Sequence, residues 1–143
     1  MKAINKNAPV VCEKSIVLHT SPAKVWEILS DIDQWSRWQK DIPYSRLNGS
    51  LEPGSSFDWK SGGFKIRSLL HTAEAGQRLG WSGSSAGIYA IHNWTLSERD
   101  GHTLLSVSES MEGFLASVFR NSLNKKLESG LDAWLMYLRE ALN

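Results

Sequence analysis

A chain of 143 residues, 41% hydrophobic and 22% charged, has the make-up of one globular domain that buries its core without staples. Its net charge of +1, with no basic run, excludes the footprint of nucleic-acid binding, and no apolar stretch is long enough to hold the chain stably in a membrane. The single cysteine, Cys12, excludes an internal disulfide and an all-cysteine metal site and fits a reducing, cytoplasmic setting. The first residues, Met1 to Lys6, lack the apolar centre of a signal peptide. Seven tryptophans point to a bulky core or an aromatic-lined cavity.

A first strand is expected from Val10 to His19, with Cys12, Ile16 and Leu18 on one face. Ser21 then reads as an N-cap and Pro22 as the first helical residue of a short helix through Ser30. A second helical turn near Asp33 to Trp38 carries Trp35 and Trp38 on one side. From Tyr44 the text becomes a meander of short alternating runs. Their turn signals are Pro53-Gly54, Ser61-Gly62-Gly63, Ala75-Gly76, Ala86-Gly87 and Asp100-Gly101. The last third returns to helical period. Leu115, Phe119, Leu123, Leu127, Leu131, Trp134, Leu138 and Leu142 form one apolar stripe, predicting a helix over Phe114 to Leu142 about 40 Å long. The fold class is α+β: a seven-stranded curved antiparallel sheet around a long C-terminal helix, with two short helices after strand 1 and one domain over 1–143.

Two-residue turns set the hairpin register. Asp100-Gly101 pairs Arg99 with His102, and therefore Trp94 with Val107 and His92 with Glu109. The same arithmetic sets Trp81 beside His92 and Leu70, Gly83 beside Ala90 and Ser68, and Phe57 and Trp59 on the face of Phe64 and Ile66. The concave face then has three rows: Thr72, Leu79, Trp94 and Val107; Leu70, Trp81, His92 and Glu109; and Ser68, Gly83, Ala90 and Met111. The reverse face (Tyr89, Ile91, Asn93 and Thr95 against Leu104, Ser106, Ser108 and Ser110) is mainly polar and is expected to meet water. Small side chains in the third row predict a hollow filled by a ligand, since interiors otherwise pack to crystal density. A close approach of the long helix, or the sheet's own curvature, is the structural alternative. The loops Ser61–Gly63, Ser84–Gly87 and Glu112-Gly113 are expected to cluster at the mouth, with Phe114, Leu115, Val118 and Phe119 as its lid.

Five motifs carry a family resemblance: Ser21-Pro22-Ala23-Lys24-Val25-Trp26; Asp33-Gln34-Trp35-Ser36-Arg37-Trp38; Leu51 to Trp59; Arg78-Leu79-Gly80-Trp81; and His92-Asn93-Trp94-Thr95-Leu96 with Glu109. In this order, across about Val10 to Leu142, they resemble the SRPBCC superfamily, also called START-like or Bet v 1-like, and within it the bacterial polyketide cyclase/dehydrase-like proteins. The resemblance implies a helix-grip fold with a hydrophobic cavity between sheet and long helix. It implies little about activity, because the superfamily mixes cyclases, carriers, receptors and chaperone activators.

The expected ligand contacts are Phe57, Trp59, Ile66, Ser68 and Leu70 on the first hairpin and Trp81 and Gly83 on the next strand. Ala90, His92, Trp94, Glu109 and Met111 follow on the last two strands, then Leu115 and Phe119 on the helix. His92 and Glu109 are the candidate catalytic pair: a carboxylate beside an imidazole fixes its tautomer and raises its basicity, which suits proton removal beside a carbonyl. The alternative is a structural pair, or a polar anchor that orients a ligand without reacting. Lys14 shares the concave parity of Ile16, while Lys65, Arg67 and His71 read as surface charge. No histidine cluster, Gly-rich nucleotide loop or Ser/His/Asp triad can be assembled, so neither metal nor cofactor is expected. The first reading is a binder or carrier of a lipid, isoprenoid or aromatic polyketide. The second is a polyketide cyclase or dehydratase using His92 as base and Glu109 to orient it. A third is a chaperone-activator-like interaction module. Oligomeric state is not legible.

Overall fold

The structure, a computed structural model, describes residues 1–143. Seven antiparallel strands, β1 (Val10–Leu18), β2 (Ser45–Asn48), β3 (Ser56–Ser61), β4 (Phe64–Glu74), β5 (Arg78–Ser85), β6 (Ile88–Arg99) and β7 (His102–Glu112), form one sheet in the order β1-β7-β6-β5-β4-β3-β2. Helix α1 (Pro22–Leu29) and a 3-10 turn (Ile32–Arg37) connect β1 to β2, and α2 (Phe114–Val118) and α3 (Arg120–Leu142) end the chain. The expected helix-grip architecture is therefore present. Ser21 caps α1 by accepting from the Lys24 N–H at 3.4 Å, with Pro22 at the first helical position. None of the helices is long and apolar enough to cross a membrane.

Pairing follows the turn chemistry. Asp100-Gly101 and Ala86-Gly87 adopt positive φ at both residues, the backbone of a two-residue hairpin turn whose twist matches the strands. Arg99 accordingly pairs with His102, Trp94 with Val107, His92 with Glu109 and Trp81 with His92. One hairpin departs from the expected register. Glu74 pairs with Arg78 across a three-residue turn, and the ladder shifts between Leu70 and Thr72 before Leu70 meets Trp81. This β-bulge cancels the extra turn residue. Ala73, not Thr72, consequently lies beside Leu79, and Thr72 beside Gly80.

Two further expectations need correction. The C-terminal helix is broken at Phe119, whose φ of −101° and ψ of 27° separate α2 from α3. Ala116 is the fully buried residue of α2, while Phe114, Val118 and Phe119 face outward; α2 has turned so that its small residue touches the sheet. The reverse face, expected to be wet, is partly covered. Ser82, Ile91, Asn93 and Ser110 are buried there because the N-terminal segment lies across them. Asn93 Nδ2 donates to the Lys2 carbonyl at 2.7 Å, the Asn5 N–H to Ser110 Oγ at 3.0 Å, and Asn5 Nδ2 to Glu112 at 2.8 Å. His71 is no simple surface charge either. It is half-buried under this strap, next to Thr72 Oγ1 at 2.8 Å, and burial, reinforced by the Lys2 charge, lowers its pKa. Arg67 does stay at the surface but is held by Asp58 at 2.7 Å.

Candidate functional site

β6 and β7 bring His92 and Glu109 together as cross-strand partners on the concave face. Nδ1 of His92 is hydrogen-bonded to Oε1 of Glu109, and both residues are buried, His92 to 3% exposure. With the carboxylate ionised, Nδ1 carries the proton and donates, which leaves the lone pair of a neutral imidazole on Nε2. That nitrogen is buried and has no hydrogen-bond partner in the protein. An orphaned buried acceptor costs about 1–3 kcal/mol, so its retention calls for a cause. The imidazole lies flat on Trp81, with ring centroids 4.3 Å apart and an interplanar angle of 6°, and is flanked by Trp94 at 5.4 Å and Trp134 at 6.0 Å.

The apolar surroundings divide into a filled part and an open part. Trp35, fully buried, sits edge-on to Phe57, Trp59 and Trp134 and tilted against Trp81, and its Nε1 donates to the Leu29 carbonyl at 2.9 Å. Trp38 also packs on Trp134, so the two tryptophans after α1 plug the grip against α3 as their spacing implied. Phe57, Trp59, Leu70, Trp81 and Trp94 are thus core residues in this structure as much as wall. Ser68 is covered as well, because Trp59 Nε1 donates to its Oγ at 3.0 Å. Sequence reasoning missed the part of Trp134, although its place in the α3 stripe was the available signal.

The open part is the remainder of the third row. Ile66, Gly83, Ala90, Met111 and Leu115 are half-buried, and Phe119 is exposed. Of the three loops expected together, the Ala86-Gly87 turn and Gly113 meet: a Cβ on Gly113 would stand 2.6 Å from the Gly87 carbonyl oxygen, and Leu115 packs near Gly87. The smallness of Gly83 has a local cause, however. A Cβ there would lie 2.7 Å from the Arg67 carbonyl oxygen and 3.2 Å from Ser68 Oγ, so the adjacent strand of the curved sheet, rather than the helix, demands glycine. The smallness of Gly83 therefore follows from the curvature of the sheet, and the half-buried apolar patch beside it stands at the surface. Phe114, Val118 and Phe119 stand at the rim instead of closing over it. Two surface depressions, of about 390 and 570 Å³, lie elsewhere: one on the reverse face around Glu13, Ser15, Thr95 and Ser108, the other around Tyr44, Arg46, Asp58 and Arg67.

Lys14 does not reach the dyad. It bridges β1 to α3 by pairing with Glu128 at 3.2 Å and Asp132 at 3.4 Å, and the Glu128 hydrogen bond raises its pKa. Cys12 stands opposite Glu109 across the strands, and burial pushes its thiol pKa up, the direction of an unreactive cysteine. No group of three or more His, Cys, Asp or Glu residues is placed to hold a metal ion.

The site is thus a buried polar pair on a concave sheet, beside a half-buried apolar patch and gripped by α3. A sequence profile of the family described as polyketide cyclase / dehydrase and lipid transport matches residues 9–136. The chain belongs to this family. Solved structures agree in fold. A hypothetical protein from Helicobacter pylori superposes with a TM-score of 0.85 at 19% identity, covering 100% of this chain and 98% of the other. A START superfamily protein from Mycobacterium smegmatis gives 0.79 at 13% identity, over 92% and 96% of the two chains. A di-domain aromatase/cyclase of the steffimycin biosynthetic pathway gives 0.79 at 11% identity, over 92% of this chain and 49% of that one. No curated protein matches the sequence. At such identities the superpositions establish the helix-grip fold alone, and the family's description names both chemistry and lipid transport.

Proposed function

We propose that this family member binds a small, mainly apolar molecule bearing one hydrogen-bond donor, with its apolar body at the open end of the concave face and its donor on His92 Nε2. The observation that carries this reading is the unpartnered Nε2 in a buried dyad one row in from the half-buried patch. Toward the mouth, the next concave residues on β6 and β5 are Ala90 and Gly83, which interpose one methyl group and no side chain. A ligand hydroxyl, phenol or enol would satisfy the nitrogen, and Trp81 and Met111 would flank the body. Lipids, isoprenoids and aromatic polyketides all meet this description.

A second reading, a cyclase or dehydratase, draws on Glu109. A carboxylate on Nδ1 holds Nε2 as the basic nitrogen and stabilises the imidazolium after proton transfer, as removal of a proton next to a carbonyl requires. Native mass spectrometry of the purified chain with a panel of fatty acids, isoprenols and polyphenolic ketides, paired with tryptophan fluorescence titration, tests both. Binding is expected, with His92→Leu weakening it about tenfold or more, the worth of one buried hydrogen bond. Turnover of a ketide that is abolished in His92→Leu and impaired in Glu109→Gln, with Glu109→Gln still binding, would select the enzyme. A panel that leaves both spectra and fluorescence unchanged would overturn the binding proposal.

A further inference from the structure

The end of the molecule where the Ala86-Gly87 turn meets Gly113 has a property independent of any ligand. Four of the chain's most exposed large apolar side chains gather there: Phe114 (80%), Phe64 (58%), Val118 (56%) and Phe119 (54%). Phe64 follows the Gly62-Gly63 turn at the tip of the β3–β4 hairpin, and the other three belong to α2 and its junction with α3. Alternate turns of a meander fall at one end, and the Gly87–Gly113 contact fixes α2 to that end. Exposed phenylalanines are ordinary one at a time; clustered at one end they mark an interaction surface.

Charge identifies the partner. Three segments at this end that carry or adjoin the exposed phenylalanines, residues 59–69, 81–91 and 113–127, contain six of the 16 lysines and arginines and none of the 15 aspartates and glutamates. The rest of the chain therefore carries ten cations against fifteen anions. Lys60, Lys65, Arg120, Lys125 and Lys126 are free of ion pairs in the structure, and of the six only Arg67 is neutralised, by Asp58. The other bordering carboxylates are engaged elsewhere, Glu112 with Asn5 on the reverse face and Glu128, one residue past the third segment, with Lys14 at 3.2 Å. In a chain of net charge +1, the segments that carry the exposed phenylalanines thus hold six cations and no anion.

We infer that this end is a docking surface for an anionic lipid bilayer, with Phe64, Phe114, Val118 and Phe119 entering the headgroup–acyl boundary and the surrounding lysines and arginines meeting acidic headgroups. The arrangement matches the physics of reversible interfacial binding: a small apolar face that inserts shallowly, and cations that each contribute about a fivefold factor in partition near an anionic surface. Without a membrane-spanning helix the association is peripheral and salt-sensitive. It does not depend on the protein carrying a ligand, and the ligand-free chain suffices to test it.

The test is co-sedimentation of the full chain with vesicles of phosphatidylcholine alone or with 30% phosphatidylglycerol, at about 50 and 300 mM salt. The expected result is at least tenfold stronger partition onto the anionic vesicles, lost at high salt. Phe114→Ser/Phe119→Ser and Arg120→Glu/Lys125→Glu should each reduce it at least tenfold with unchanged circular dichroism and melting temperature, since these side chains are exposed. Lys24→Glu on α1, at the opposite end of the sheet, should leave it intact. Equal partition onto neutral and anionic vesicles, absence of partition at low salt, or loss with Lys24→Glu would overturn the assignment. So would a concentration-dependent dimer in sedimentation velocity that Phe114→Ser/Phe119→Ser abolishes, because the face would then be a contact between copies.

Discussion

Replacing Glu109 by leucine strands the Nδ1–H of an imidazole that is only 3% exposed, and replacing His92 by leucine strands a carboxylate in the same place. Loss of one partner from a buried hydrogen-bonded pair costs about 1–3 kcal/mol when the remaining group is neutral and about 3–5 kcal/mol when it is charged. Each single substitution is therefore expected to destabilise the fold by about 2–4 kcal/mol, or about 6–12 °C in melting temperature for a chain of this length. His92→Leu/Glu109→Leu removes both polar groups together and exchanges them for apolar volume beside Trp81 and Trp94. Such exchanges are close to neutral, so the double variant should lie within about 1 kcal/mol of the parent, giving a coupling of about 3 kcal/mol or more in a double-mutant cycle. Urea unfolding followed by tryptophan fluorescence, with midpoints compared at constant slope, measures all four species. Additivity of the two single effects within about 0.5 kcal/mol would refute the pairing. A stable double variant that no longer binds any ligand would show that the dyad is kept for function at the expense of an equally stable apolar core.

Trp35→Ala should lose about 3–5 kcal/mol, a large part of the stability of a domain this size, because Trp35 joins four aromatic neighbours and donates to Leu29; a shift in the urea midpoint of less than half that would contradict its place at the centre. Gly83→Ala should destabilise by about 1–3 kcal/mol, since the added methyl meets the Arg67 carbonyl oxygen rather than a mobile side chain. A neutral effect in thermal melts would return Gly83 to the ligand hollow. For pH, the folded pKa of His71 lies below its ordinary 6.5, so the unfolded chain binds more protons in that window. Its contribution to stability is complete above pH 6.5 and is lost as pH falls through the lowered value. Melting temperatures between pH 7.5 and 5 should therefore fall less steeply in His71→Asn than in the parent, and parallel curves would disprove the linkage.

The hairpins could be read from the sequence because each register there depends on a few adjacent atoms: Asp100-Gly101 accepts positive φ, and period-two alternation does the rest. That local chemistry sufficed to place His92 against Glu109 across seventeen residues, and the Ser21-Pro22 signal sufficed to start α1. The bulge between Leu70 and Thr72 was not readable, since an extra turn residue and a compensating bulge leave the downstream alternation unchanged. The identity of the plug was only half legible: the spacing of Trp35 and Trp38 gave them one face, but how deeply Trp35 enters among Phe57, Trp59 and Trp81 is settled by where α3 lies. The N-terminal strap over Asn93 and Ser110 rests on hydrogen bonds between residues about a hundred apart, for which no periodicity exists. What the sequence determined by itself was thus the class of fold, the hairpin pairs from β3 to β7 and the polar dyad, while the pairing of β1 with β7 came from the tertiary structure. Only the tertiary structure decided that tryptophans fill much of the space between sheet and α3 and that α2 turns its phenylalanines outward, beside a segment without acidic residues. Those features depend on volumes and distances between elements, which the order of residues does not encode one segment at a time.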